Sequence, residues 1–120
     1  MSNNKEIREN RGPHKLTSKP SEIISKMEES QQITAAFRND EGNKFCFAGA
    51  IMKVWNLFNN SAGVEIHEFK EILNRKVAET DKLRYGIADI IIGRLTELND
   101  QYSFAVGKKK AVEYLESFGL

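Results

Sequence analysis

Apolar residues recur at helical spacing along most of this chain, and the places where that spacing fails mark its joints. Residues 1–19 contain only Ile7 and Leu16 as large aliphatics, with Gly12 and Pro13 between them. So few apolar groups cannot offset the entropy of ordering the segment, which is expected to be a flexible N-terminal arm. Pro20 suits a first helical turn and Ser18 or Ser21 can cap it, while Ile23, Ile24 and Met27 share a face, predicting a short helix near 21–30. From Gln32 the period changes. Ile33, Ala35 and Phe37 alternate with Thr34, Ala36 and Arg38, Asn39 to Asn43 supplies turn chemistry, and Lys44 to Phe47 follows, which reads as a β-hairpin. A helix ending near Arg38 is the alternative.

Helical spacing then resumes. Ile51, Val54, Trp55 and Phe58 fall on one face of a helix reaching about Asn59, and Asn59 to Gly63 breaks it. Ile66, Phe69, Leu73 and Val77 mark a second amphipathic helix near 64–78. Thr80 or Asp81 is placed to cap a third, whose stripe of Leu83, Ile87, Ile90, Ile91, Leu95 and Leu98 is the longest in the chain and ends at the turn-forming pair Asn99-Asp100. Ser103 opens a last helix carrying Val106, Val112, Leu115 and Phe118, closed by Gly119. The expected fold class is mainly α (α+β), four to five helices with one short β-hairpin, arranged as a flexible basic arm over 1–19 and a single helical domain over 20–120. A hairpin alone is marginal in water, so it must pack on the helices.

With 120 residues, 40% hydrophobic and 29% charged, the chain can fold around one core. It contains no apolar run of the ~18 residues that a membrane span needs and no apolar segment of a secretory leader, so a cytoplasmic protein without a membrane partner is expected. A single cysteine, Cys46, excludes an internal disulfide.

The net charge of +1 is unevenly spread. Residues 1–20 hold five basic and two acidic side chains, for +3, whereas the remaining 13 basic and 15 acidic groups give −2. Arg8, Arg11 and Lys15 in the arm, together with Lys108, Lys109 and Lys110 early in the last helix, are the candidate binding residues. The lysines sit against the helix dipole, which an acidic partner or a phosphate backbone would relieve; a solvated cluster is the simpler explanation.

For catalysis the minority candidates are Cys46, His67 and Asp100. Cys46 stands where strand gives way to helix, so helix amides can lower its pKa, and a base and an orienting carboxylate follow along the chain. Phe45 and Phe47 flank the thiol, however, and a packed, inert cysteine is favoured. No metal is expected, since only His14, His67 and Cys46 offer nitrogen or sulfur ligands and they are far apart in the chain; His67 and Glu71 read as a surface pair. No cofactor is expected either, because GxxxxGK[ST] and GxGxxG are both missing. Trp55, Phe58 and Phe69 read as core rather than as a ligand pocket.

The stretch Ile33 to Gly42, the segment Phe45-Cys46-Phe47-Ala48-Gly49-Ala50-Ile51 and the later Leu98-Asn99-Asp100 resemble a family of small bacterial and phage proteins of unknown function. Its mark is a Cys-Ala-x-Gly-Ala segment, an Asn-Asp pair and a short closing helix; this chain departs from it with Phe47 in place of a small residue and Leu98 in place of Trp. The resemblance covers about residues 22–118. It implies a scaffold in which the Cys46 segment and the Asn99-Asp100 turn meet, and it implies no activity. The expected function is that of a small non-enzymatic binding protein, a phage accessory factor or inhibitor acting on a protein partner. The alternatives are a nucleic-acid-associated protein using the arm and Lys108 to Lys110, and a Cys46-dependent hydrolase or transferase.

Overall fold

The computed structural model describes residues 18–58, 62–80 and 86–120. Among them five α-helices form: α1 (Pro20–Ser25), α2 (Phe47–Val54), α3 (Ala62–Thr80), α4 (Ala88–Gln101) and α5 (Phe104–Glu116), with a 3₁₀ turn at Glu29–Gln31. Most of the expected arm lies outside the described residues. Ser18 and Lys19 belong to the folded body, because Trp55 Nε1 donates to the Ser18 carbonyl at 3.1 Å and Ile23 N donates to the Lys19 carbonyl at 3.0 Å.

Pro20 occupies the first turn of α1, where its missing N–H costs nothing. α1 packs most extensively on α5 and also meets α2, while α4 lies against α2, α3 and α5. The core they enclose includes Ile24, Phe47, Ile51, Met52, Trp55, Leu57, Phe69, Leu73, Ile91, Leu95, Leu98 and Leu115. Trp55 and Phe69 meet edge to face at 5.8 Å, which joins the end of α2 to α3. Both aromatics are core, as expected, whereas Phe58 is half-buried; its ring stacks on Phe45 and lies 4.6 Å from the Arg38 guanidinium carbon.

Two helix ends close by the same device. After α2, Asn56 takes a left-handed φ of 59°, Leu57 N bonds the Met52 carbonyl at 2.9 Å and Asn56 N bonds the Lys53 carbonyl at 3.0 Å. After α5, Gly119 (φ 78°) does the same, with Leu120 N on the Leu115 carbonyl at 3.0 Å. In each case an orphan carbonyl is satisfied and an apolar pair, Met52 with Leu57 or Leu115 with Leu120, is buried at the closure.

Four expectations need correction. No β-strand forms among the described residues: Phe45 makes isolated bridges, parallel to Gln32 and antiparallel to Arg38, so residues 34–37 loop out between them instead of continuing a ladder. The Asn39 to Asn43 turn is present, held by Asn39 Oδ1, which accepts from Asn43 N at 2.9 Å and Lys44 N at 3.0 Å. α4 runs to Gln101, one residue past the expected end at Asn99-Asp100, and both residues are helical rather than part of a turn. That helix begins at Ala88, whose N–H is satisfied at 2.9 Å by Asn74 Oδ1 of α3, and Asp81 and Leu83 lie outside the described residues. Finally, Ile90 and Val106 are exposed, because the buried stripes run through Ala88, Ile91, Ile92, Leu95 and Leu98 on α4 and through Gly107, Ala111 and Leu115 on α5.

Two glycines set helix spacing. A Cβ on Gly49 would fall on the Phe37 carbonyl oxygen, and one on Gly107 would fall on the Leu98 carbonyl oxygen; neither neighbour is a side chain that can swing away. Gly93, in α4, has open space around it. Gly49→Ala and Gly107→Ala should therefore each destabilise the fold by about 1–3 kcal/mol, while Gly93→Ala should stabilise it by up to about 1 kcal/mol through helix propensity alone. Urea unfolding midpoints at constant slope will show whether the signs differ in this way.

Candidate functional site

The Asn99 side chain is the meeting point of the loop, α2 and α4. It is 1% exposed, and such a buried carboxamide needs every polar atom engaged. Its Nδ2 donates to the Ile33 carbonyl at 2.9 Å and to Asp100 Oδ1 at 2.8 Å. Its Oδ1 accepts from Phe47 N at 3.2 Å, one of the free amides opening α2, and from Gln32 Nε2 at 3.1 Å. Gln32 Nε2 also reaches the Asn99 carbonyl at 3.2 Å. The Cys46 segment and the Asn99-Asp100 pair thus meet through hydrogen bonds. Asp100 Oδ1 continues the clamp by accepting from Ala35 N at 3.4 Å, where the backbone takes a left-handed φ of 64°.

Cys46 is the N-cap residue of α2, and its Sγ accepts from Gly49 N at 3.3 Å. The position at a helix N-terminus is as expected, but its consequence for the thiol is the reverse. Burial pushes the Cys46 thiol up from its ordinary 9.0 to about 11; donation from the Gly49 and Ala48 amides pulls the other way, and the Asp100 carboxylate adds a further upward push. A thiol held protonated at neutral pH is a poor nucleophile.

Cys46 and Asp100 line one cavity of about 300 Å³ together with Ala35, Ala36, Phe37 and Thr96. His67 is not at this cavity. It lies on the exposed side of α3, with Nε2 2.9 Å from Glu71 Oε1, as a surface pair one helical turn apart. Two of the three catalytic candidates are thus brought together and the base is left out. Among the described residues no group of three or more His, Cys, Asp or Glu side chains is arranged to hold a metal ion, and no helix is long and apolar enough to cross a membrane.

No family model, curated protein or solved structure matches this chain.

The three lysines of α5 part company. Lys108 is half-buried and its Nζ donates to the Met27 carbonyl at 2.8 Å, with the Phe104 ring centroid 5.5 Å away. Lys110 is exposed and lies 5.3 Å from the Tyr102 ring, and Lys109 is exposed beside a surface groove of about 510 Å³ that Phe104, Ala105, Val112 and Glu113 also line. Successive residues on a helix point about 100° apart, so the trio forms no single patch. Arg8, Arg11 and Lys15 lie outside the described residues. Tyr102 is 39% and Val106 46% exposed on the same stretch; a core reading of Val106 concealed this surface.

Two measurements follow. Asn99→Ala strips partners from Phe47 N, the Ile33 carbonyl and Gln32 at once, and should cost roughly 3 kcal/mol or more of unfolding free energy. For Cys46, the folded state holds its proton to higher pH than the unfolded chain. Its contribution is therefore complete below about pH 9 and fades as pH rises toward about 11, by roughly 2–3 kcal/mol. Cys46→Ser keeps a capping oxygen and does not titrate, so the stability difference between wild type and this variant should shrink across that pH window, as followed by urea unfolding.

Proposed function

We propose that this protein is a small non-enzymatic binding protein, an accessory factor or inhibitor of the kind the resembling phage proteins suggest, working by contact with a protein partner. The observation that carries this reading is the surface at the start of α5. Tyr102 and Val106 are exposed although α5 already buries a complete stripe, and the Lys110 ammonium lies over the Tyr102 ring. Tyrosine is among the residue types that dominate interface binding energy, and Tyr102 is exposed with Val106 exposed four residues on and Lys110 over its ring. Chemistry at Cys46 forms no part of this reading, because its thiol is capped, buried and pushed up in pKa.

The competing reading is a nucleic-acid contact through Lys109, Lys110 and the basic side chains Arg8, Arg11 and Lys15. Lys108, bonded to the Met27 carbonyl, is withdrawn from that count. Replacing Lys109 and Lys110 with Gln should thus lower the slope of log affinity against log salt by at most about two.

Capture of partners from a lysate of the source organism with the full chain, followed by titration of the captured protein, separates the two. Tyr102→Ala combined with Val106→Ala should weaken binding about tenfold or more, with weak dependence on salt, and the two Gln substitutions should matter less. Binding to DNA or RNA that survives physiological salt and fails in the Gln variant, with no protein held through Tyr102 and Val106, overturns the proposal.

A further inference from the structure

The cavity beside Asn99 is built rather than incidental. Its loop wall is pinned at three points: Asn99 Nδ2 on the Ile33 carbonyl at 2.9 Å, Asp100 Oδ1 on Ala35 N at 3.4 Å, and Cys46 N on the Phe37 carbonyl at 3.2 Å. These bonds carry residues 33–37 out in an arch, with Ala35 at φ 64°, and Ala35 and Ala36 expose only methyl groups where larger side chains would fill the space. At about 300 Å³ the space stands at the lower end of small-molecule sites.

The polar side chains around it offer no strong donor. Thr96 Oγ1 spends its proton on the Ile92 carbonyl at 3.0 Å, and Cys46 Sγ takes the Gly49 amide. Asp100 directs both of its hydrogen bonds to Oδ1; among the described residues Oδ2 has no partner, and no cation pairs with this carboxylate. A cavity walled by methyl, phenyl and thiol groups with one unpaired carboxylate at its edge is complementary to a ligand that is apolar at one end and a cationic donor at the other.

We propose that this cavity binds small organic ammonium ions, the ammonium group pairing with Asp100 Oδ2 and the apolar body resting against Ala35, Ala36 and Phe37. The site shares no residue with the α5 surface and does not depend on a protein partner being found. Because Asp100 is exposed, the charge pairing is worth no more than a surface ion pair, a roughly two- to fivefold preference for the cation over its neutral analogue.

Titration of the full chain with benzylammonium and, separately, with benzyl alcohol, followed by amide chemical shifts at pH 7, tests this. Saturable shifts at residues 35–37, 46 and 96 are expected, tighter for benzylammonium, with a preference that shrinks as salt is raised. Asp100→Asn keeps an oxygen to accept from Ala35 N and should remove the preference while leaving the spectrum of the rest of the fold in place. Ala36→Leu should fill the space and abolish binding of both probes. Equal affinity for the alcohol, a preference that persists in Asp100→Asn, shifts that cluster elsewhere, or no saturation into the tens of millimolar would each overturn the proposal.

Discussion

A single buried carboxamide governs how the irregular part of this chain is held. Asn99 satisfies an amide at the start of α2, a carbonyl and a side chain of the loop, and the carboxylate next to it, all from its place on α4. Residues 32–37 join no sheet; Gln32 N, Ile33 N and the Phe37 carbonyl find backbone partners at Glu29, Phe45 and Cys46, and the Ile33 carbonyl depends on Asn99. The carboxamide fits because it carries both donors and acceptors, whereas a carboxylate or a hydroxyl at this position would satisfy only part of the set. The Ile33 end of the loop and the Phe47 amide beside the Cys46 cap of α2 both depend on that residue.

The clamp works only if the elements come close, and glycine provides the closeness. Gly49 lets the loop carbonyl of Phe37 lie directly on the first turn of α2, where that carbonyl also receives Cys46 N. Gly107 lets α5 lie against the C-terminal half of α4 at Leu98, one residue before Asn99. Backbone-to-backbone contact on both sides leaves Asn99 little freedom to shift, which is the rigidity a fully bonded polar group in a core requires.

Helices were legible in the sequence where they depend on local signals, as at Pro20, the stripe through Phe69, Leu73 and Val77, and Gly119, although α1 stops at Ser25, α2 at Val54 and α4 starts only at Ala88. The hairpin was misread because alternation from Ile33 to Phe37 is also compatible with a loop whose bonds go to distant side chains, and nothing within that window reveals Asn99, 66 residues away from Ile33. One signal was available. Asn99 follows Leu95 by four positions on the apolar stripe of α4, and a polar residue on a buried stripe must find partners. Reading it as a turn former assigned it to backbone chemistry rather than to the core. Of the candidate site, the Cys46 segment and Asn99-Asp100 do meet as expected, but the cavity was not legible, because it is a gap between elements and no residue type encodes a gap.

The lysines of α5 illustrate how one sequence feature divides once geometry is known. Three consecutive positive charges near a helix N-terminus oppose its dipole, and external anions are one way to relieve that cost. Here each charge meets a different local environment: Lys108 donates to a carbonyl just beyond the C-terminal end of α1, Lys110 lies over the Tyr102 ring, and Lys109 reaches solvent beside the groove. Internal acceptors and an aromatic face therefore account for two of the three, without any phosphate. Lys108 belongs to the packing between α1 and α5, the most extensive helix pair in the fold, and Lys110 belongs with Tyr102. The charge run that suggested a polyanion in the sequence becomes, in three dimensions, one tether to a backbone carbonyl, one contact with an aromatic ring and one solvated lysine.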